Sequence, residues 1–169
     1  MNKLESPLQL DQRIKIKASP QKVWEIFNDQ ELLPKWTTDV QKCHYESRMA
    51  SIGQVRSNDC IVNGKKGTIR SRCIDLQPRT LAEFKVEHDT FGMNRMLREI
   101  GFVAIFNDAE GSETEFVMQS HYQTKNLFIG LMNPLIRRQM AKEVDNMLEG
   151  LKEFVESGQP NLKNPINQS

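Results

Sequence analysis

The sequence predicts an α+β fold: a curved antiparallel sheet of six or seven strands wrapped around one long C-terminal helix, with two short helices after the first strand. Three observations predict it. Residues 40–123 form short β-type runs separated by turn signals. The apolar period lengthens after Gln123 from two to alternating three and four. The amphipathic stretch that follows is the one large element able to cover a face of such a sheet.

Taken in order, Ile14, Ile16 and Ala18 alternate with Arg13, Lys15 and Lys17, the pattern of a half-buried strand over 13–18. Ser19-Pro20 stops that strand and opens a helix, with serine as N-cap and proline in the first turn. This helix carries Val23, Trp24, Ile26 and Phe27 and is too short to stand without docking. A second short helical piece is expected over 31–36. Strands are then expected near 40–46, 53–63, 67–76, 80–88, 96–106 and 113–123, punctuated by Asn63-Gly64, Gln77-Pro78 and Asn107-Asp108 with Gly111. Their close spacing favours antiparallel hairpins. Residues 89–95 receive no assignment. From Asn133-Pro134, read as a cap and first-turn proline, an amphipathic helix of about six turns carries Leu135, Ile136, Met140, Val144, Met147, Leu148, Leu151, Phe154 and Val155. Gly158 and Pro160 end it. The expected organisation is an N-terminal tail (1–7), one domain (8–157) and a flexible polar tail (158–169).

The chain of 169 residues is long enough to bury a core without disulfides or metal. Lys plus Arg number 23 and Asp plus Glu 22, a net charge of +1, which leaves no electrostatic footprint for nucleic acid. No run approaches the roughly 18 apolar residues of a membrane span, so stable membrane insertion is not expected. Cys43, Cys60 and Cys73 form no CxxC pair, and their odd number argues for buried free thiols in a reducing compartment. With no signal pattern at the N-terminus, a cytoplasmic location is expected. Metal-ligand spacing and nucleotide-binding fingerprints are absent, so no cofactor or metal is expected.

Ala18-Ser19-Pro20, Val23-Trp24 and Leu33-Pro34-Lys35-Trp36 together resemble the opening of the START-like, or SRPBCC, superfamily of polyketide cyclase/dehydrase and lipid-binding proteins. Asp75-Leu76-Gln77-Pro78-Arg79 resembles its middle hairpin turn, and the segments 111–122 and 125–156 resemble its last strand and last helix. The resemblance covers roughly residues 8–157. It implies the helix-grip fold and an apolar cavity between sheet and helix. It carries over no catalytic residues, because fold does not fix chemistry.

Strand alternation sorts the candidate site. Thr114, Phe116, Met118, Ser120 and Tyr122 share the expected inner face of the last strand, leaving His121 to solvent. Ser71 and Cys73 point inward if Arg70 and Arg72 point out, and Phe84 leads an inward row ending at His88. On 55–62 both faces are mixed: Val55, Ser57, Asp59 and Ile61 oppose Arg56, Asn58, Cys60 and Val62. If the first set points in, Asp59 is a buried carboxylate and a candidate base. The ligand-binding candidates are Trp36, Ser71, Phe84, Phe116, Met118, Ser120, Tyr122, Met132, Ile136, Met140 and Met147, the methionines giving an adaptable lining. The apolar segment 126–132 is a candidate mouth or lid.

The function expected first is binding of a small apolar ligand (lipid, isoprenoid or aromatic polyketide) as carrier or sensor. An alternative is a cyclase or dehydratase using His88, Asp59 or Tyr122 as acid or base in the same cavity. A third reading is a protein-interaction domain with a filled core.

Overall fold

The computed structural model describes residues 3–169. Its elements in order are β1 (Leu8–Ile16), α1 (Pro20–Asn28), α2 (Leu33–Trp36), β2 (Val40–His44), β3 (Val55–Val62), β4 (Lys65–Gln77), β5 (Leu81–Asp89), α3 (Met93–Met96), β6 (Leu97–Ala109), β7 (Glu113–Thr124), α4 (Leu127–Leu131) and α5 (Asn133–Ser157). A short 3-10 turn, Pro165–Asn167, follows. The seven strands form one antiparallel sheet in the order β1-β7-β6-β5-β4-β3-β2. This is a helix-grip fold. Six strands are joined in sequence, and β1 closes the sheet by pairing with the last one.

Local chemistry accounts for the ends of the elements. Ser19 Oγ accepts from Lys22 N and Pro20 stands in the first turn of α1. Arg79 turns the β4–β5 hairpin at φ 62°. Gly158 ends α5 at φ 74°, its N–H donating to Phe154 O. The expected cap of α5 is different. Asn133 lies inside the first turn, and its Oδ1 accepts a 2.7 Å hydrogen bond from Tyr122 Oη instead. The capping asparagine is Asn126, whose Oδ1 accepts from Ile129 N at the head of α4.

The core lies between α1, α2, α5 and the concave face. Phe27 is its centre, stacked on Trp36 at 5.6 Å and meeting Phe106 and Phe116 at 5.5 and 5.4 Å. The grip on α5 is uneven. Its buried residues Val144, Leu148, Gly150, Leu151 and Val155 all come from its later turns. Earlier, Ile136 and Met140 are half-buried and Leu135 is exposed. Gly150 permits a close crossing: a Cβ there would come within 2.2 Å of Trp36 O and 2.3 Å of Asn161 Nδ2.

The described part of the expected N-terminal tail, residues 3–7, and the expected C-terminal tail are both packed. Leu4 N donates to Glu83 Oε1 and Ser6 Oγ to Glu99 O, which lays the N-terminal segment over the outer face of the sheet. There Leu4 occupies the space that a Cβ on Gly101 would need. The C-terminal segment, expected as a flexible extension, is tied down by buried asparagines. Asn161 Nδ2 donates to Trp36 O, and Asn164 Nδ2 to Val40 O and Pro34 O. Backbone carbonyls of a short loop and helix end need such donors, so burying polar side chains here stabilises the fold. Among the described residues, no helix is long and apolar enough to cross a membrane.

Candidate functional site

On β7, Thr114, Phe116, Met118, Ser120 and Tyr122 are all buried against the concave face. Ser71, Cys73 and Phe84 are buried on the same face, while Arg70 and Arg72 pair with Glu87 outside. Registry aligns these groups across the sheet: Arg56 opposite Ser71, Ser71 opposite Val86, Cys73 opposite Phe84, Phe84 opposite Phe102, and Phe102 opposite Ser120.

The buried apolar residues fall into two clusters. The larger surrounds Phe27 and Trp36. The smaller comprises Val86, Leu97, Ile100 and Tyr122, under Ile129 and Ile136. Half-buried Ile69, Phe102 and Met140 touch both and form the seam. Four polar atoms buried on the concave face have no hydrogen-bond partner: Gln12 Oε1, Arg56 Nη1, Asn58 Oδ1 and Ser120 Oγ. Trp36 Nε1, within the larger cluster, and Asn28 Oδ1 on α1 are further such atoms. Buried polar groups are nearly always partnered, so a cluster of exceptions needs a physical reason.

The mixed strand β3 therefore turns its second set inward. Asn58 and Cys60 are buried and Arg56 faces the interior. Asp59 faces out instead, about half exposed, 2.7 Å from His44 Nε2, and the buried-base expectation for Asp59 gives way to a surface pair. His88 is exposed beyond the irregular β4–β5 register at Arg70/Ser71, so it does not extend the Phe84 row into the interior. Of the three acid–base candidates only Tyr122 lies inside. Burial raises its pKa, and its hydroxyl is engaged by Asn133. His121, expected in solvent, is half-buried under the N-terminal segment, with Nδ1 3.0 Å from Ser6 O and Nε2 unpartnered. Alternation assigns its face correctly but does not reveal that residues 3–7 cover that face.

Trp36 is core, 2% exposed. Met140 and Met147 are half-buried on the underside of α5, and Met132 stands 40% exposed at the junction of α4 and α5. The segment 126–132 forms α4 and displays Leu127, Phe128 and Leu131 to solvent. Sequence reasoning misses Arg56 as a site residue; its signal is the alternation with Cys60 and Val62, which the polar residues on the opposite face obscure. The three thiols are free and buried, and burial pushes the Cys73 thiol up to about 11. Two clefts open elsewhere, ≈ 390 Å³ beside Glu149, Lys152 and Glu156, and ≈ 240 Å³ beside Asp39, Asn63 and Lys163.

Residues 7–156 match the model of the family described as polyketide cyclase / dehydrase and lipid transport. The chain belongs to this family. Comparison with curated proteins gave no match by sequence. Among solved structures, TTHA0849 from Thermus thermophilus is 20% identical with a TM-score of 0.69, over 88% of this chain and 97% of that one. A START superfamily protein from Mycobacterium smegmatis is 12% identical with a TM-score of 0.71, again over 88% and 97%. Truncated norcoclaurine synthase from Thalictrum flavum is 12% identical with a TM-score of 0.70, over 93% and 99%. At these identities the likeness establishes the shared helix-grip architecture.

Proposed function

We propose that this family member binds a small, largely apolar molecule at the seam between its two apolar clusters, beneath the first turns of α5, as a carrier or sensor. The observation that carries the reading is the set of unpartnered polar atoms on the concave face beside that seam: Arg56 Nη1, Asn58 Oδ1 and Ser120 Oγ. A ligand lying there brings polar groups to atoms the protein leaves unsatisfied. Half-buried Met140 and Phe102 give way to it, methionine being the more adaptable. Access comes by displacing α4 and the loosely held start of α5, while the tightly buried later turns hold the fold. The acid–base alternative retains one interior group, Tyr122, and binding alone needs none. Three unpaired, buried thiols support a cytoplasmic location.

The test is titration with N-phenyl-1-naphthylamine, an uncharged apolar fluorophore, alongside native mass spectrometry of gently purified protein. Saturable fluorescence enhancement is expected, and Met140→Trp, which fills the seam, weakens it at least about tenfold with the fold retained. Linear, unsaturable signal together with a ligand-free native mass excludes the reading.

A further inference from the structure

Arg56, half-buried on the concave face, is a cation without a counterion. Its Nε donates to Ser71 Oγ at 3.3 Å, and its Cζ stands 4.2 Å above the ring centroid of Phe84. Nη1 is enclosed and has no partner. Among the described residues no carboxylate lies within 4.0 Å of it; Asp29, Glu87 and Glu99 pair with other cations, namely Arg48, with Arg70 and Arg72, and with Lys85. The groups near Arg56 able to carry negative charge are the thiols of Cys43, Cys60 and Cys73, and burial raises the pKa of each, keeping them neutral. Burial correspondingly pulls the pKa of Arg56 down. A buried charge is ordinarily paired, and here the protein supplies stacking and one hydroxyl but no anion.

We infer that Arg56 is the anchor for an acidic head group, and that the ligand is an apolar monocarboxylic acid. The inference rests on the reading of the concave face as a ligand site. A carboxylate suits the position for two reasons. The guanidinium fork takes a carboxylate's two oxygens side by side, and Ser71 Oγ, which accepts from Nε, retains its own proton to donate. The charge also balances: one interior arginine matches a monoanion, whereas a dianionic phosphate would leave a negative charge on an apolar face. Phe84 below the guanidinium and the seam of Ile69, Phe102 and Met140 beyond it extend the site into apolar surroundings.

The experiment compares a straight-chain carboxylic acid with the primary alcohol of the same chain length, each displacing N-phenyl-1-naphthylamine from the full chain. The wild type is expected to bind the acid about tenfold or more tighter than the alcohol. Arg56→Met is expected to remove the acid's preference over the alcohol, with the acid losing at least about tenfold, and Arg56→Lys to recover part of that preference. Removing an unpaired, half-buried charge should also leave Tm unchanged or higher. Equal binding of acid and alcohol by the wild type overturns the inference, as does an acid preference that survives Arg56→Met. In both cases the alcohol still binds and the ligand site stands. If neither displaces the probe, the ligand site and its anchor fall together.

Discussion

Residues 126–132 are almost wholly apolar, yet Leu127, Phe128 and Leu131 are 84%, 70% and 76% exposed. Residues 159–168 carry six polar side chains in ten, and two of these, Asn161 and Asn164, are only 7% and 0% exposed. The difference lies in what each segment meets. The polar segment meets backbone carbonyls at Pro34, Trp36 and Val40 that require donors, and asparagine amides supply them at close range. The apolar segment packs Ile129 on the smaller cluster and otherwise meets the start of α5 and solvent. Hydrophobicity thus says what a residue gains from burial, whereas the tertiary neighbourhood says whether burial is on offer. In this chain the polar tail is part of the structure, and the apolar helix is left largely in solvent.

The largest effect is expected at Asn164. Asn164→Ala strands the carbonyl of Val40 and takes one partner each from Pro34 O, which keeps Asn167 Nδ2, and from the Gln41 side-chain amide, which keeps Asp39 O. A loss of about 2–4 kcal/mol is expected, read as a Tm lower by roughly 5–10 °C in a thermal melt. A Tm within a degree of wild type would mean that the tail is ornamental. Next is Gly150→Ala, which drives a methyl group into Trp36 O and Asn161. It is expected to cost about 1–3 kcal/mol, as overpacking does, and to expose the tail to limited proteolysis. Equal proteolysis of variant and wild type would detach the tail's docking from this crossing.

Phe128→Ser with Leu131→Ser should change stability by no more than about 0.5 kcal/mol, because both side chains already stand in solvent. The same double variant is expected to alter the rate of probe uptake. A large loss of stability would show α4 to be core after all. The smallest effect is at Asp39, beside the docked tail. Burial raises its pKa above the ordinary carboxylate value. A group with a raised folded-state pKa stabilises the fold while protonated, and that contribution is lost as pH rises through the folded value. Asp39→Asn is therefore expected to raise Tm slightly at pH 7, with the gain shrinking toward pH 4. A gain that grows on acidification would reverse the sign.

Much of the architecture is legible in the chain. Alternation starts the first strand late, at 13 instead of Leu8, because Gln9, Asp11 and Gln12 interrupt the apolar pattern. Gln12 faces inward all the same, with its amide donating to Ala141 O and Asp145 Oδ1 on α5. The site is half legible. The inner rows of β4, β5 and β7 follow from alternation, while β3 stays ambiguous, since both of its faces carry polar residues. What settles β3 is the pairing of Asp59 with His44 across β2 and of Arg56 with Ser71 across β4, contacts made by residues 15 positions apart.

The order and type of the elements, the C-terminal grip helix and the inward faces of three strands are written in local sequence, because periodicity and turn chemistry are local properties. Only the tertiary structure decided that Arg56 lies inside without a counterion, that His88 and Asp59 lie outside, and that a polar tail is buried while an apolar helix is not. Those outcomes depend on which distant groups arrive beside a residue, and on whether they satisfy its charge and hydrogen bonds.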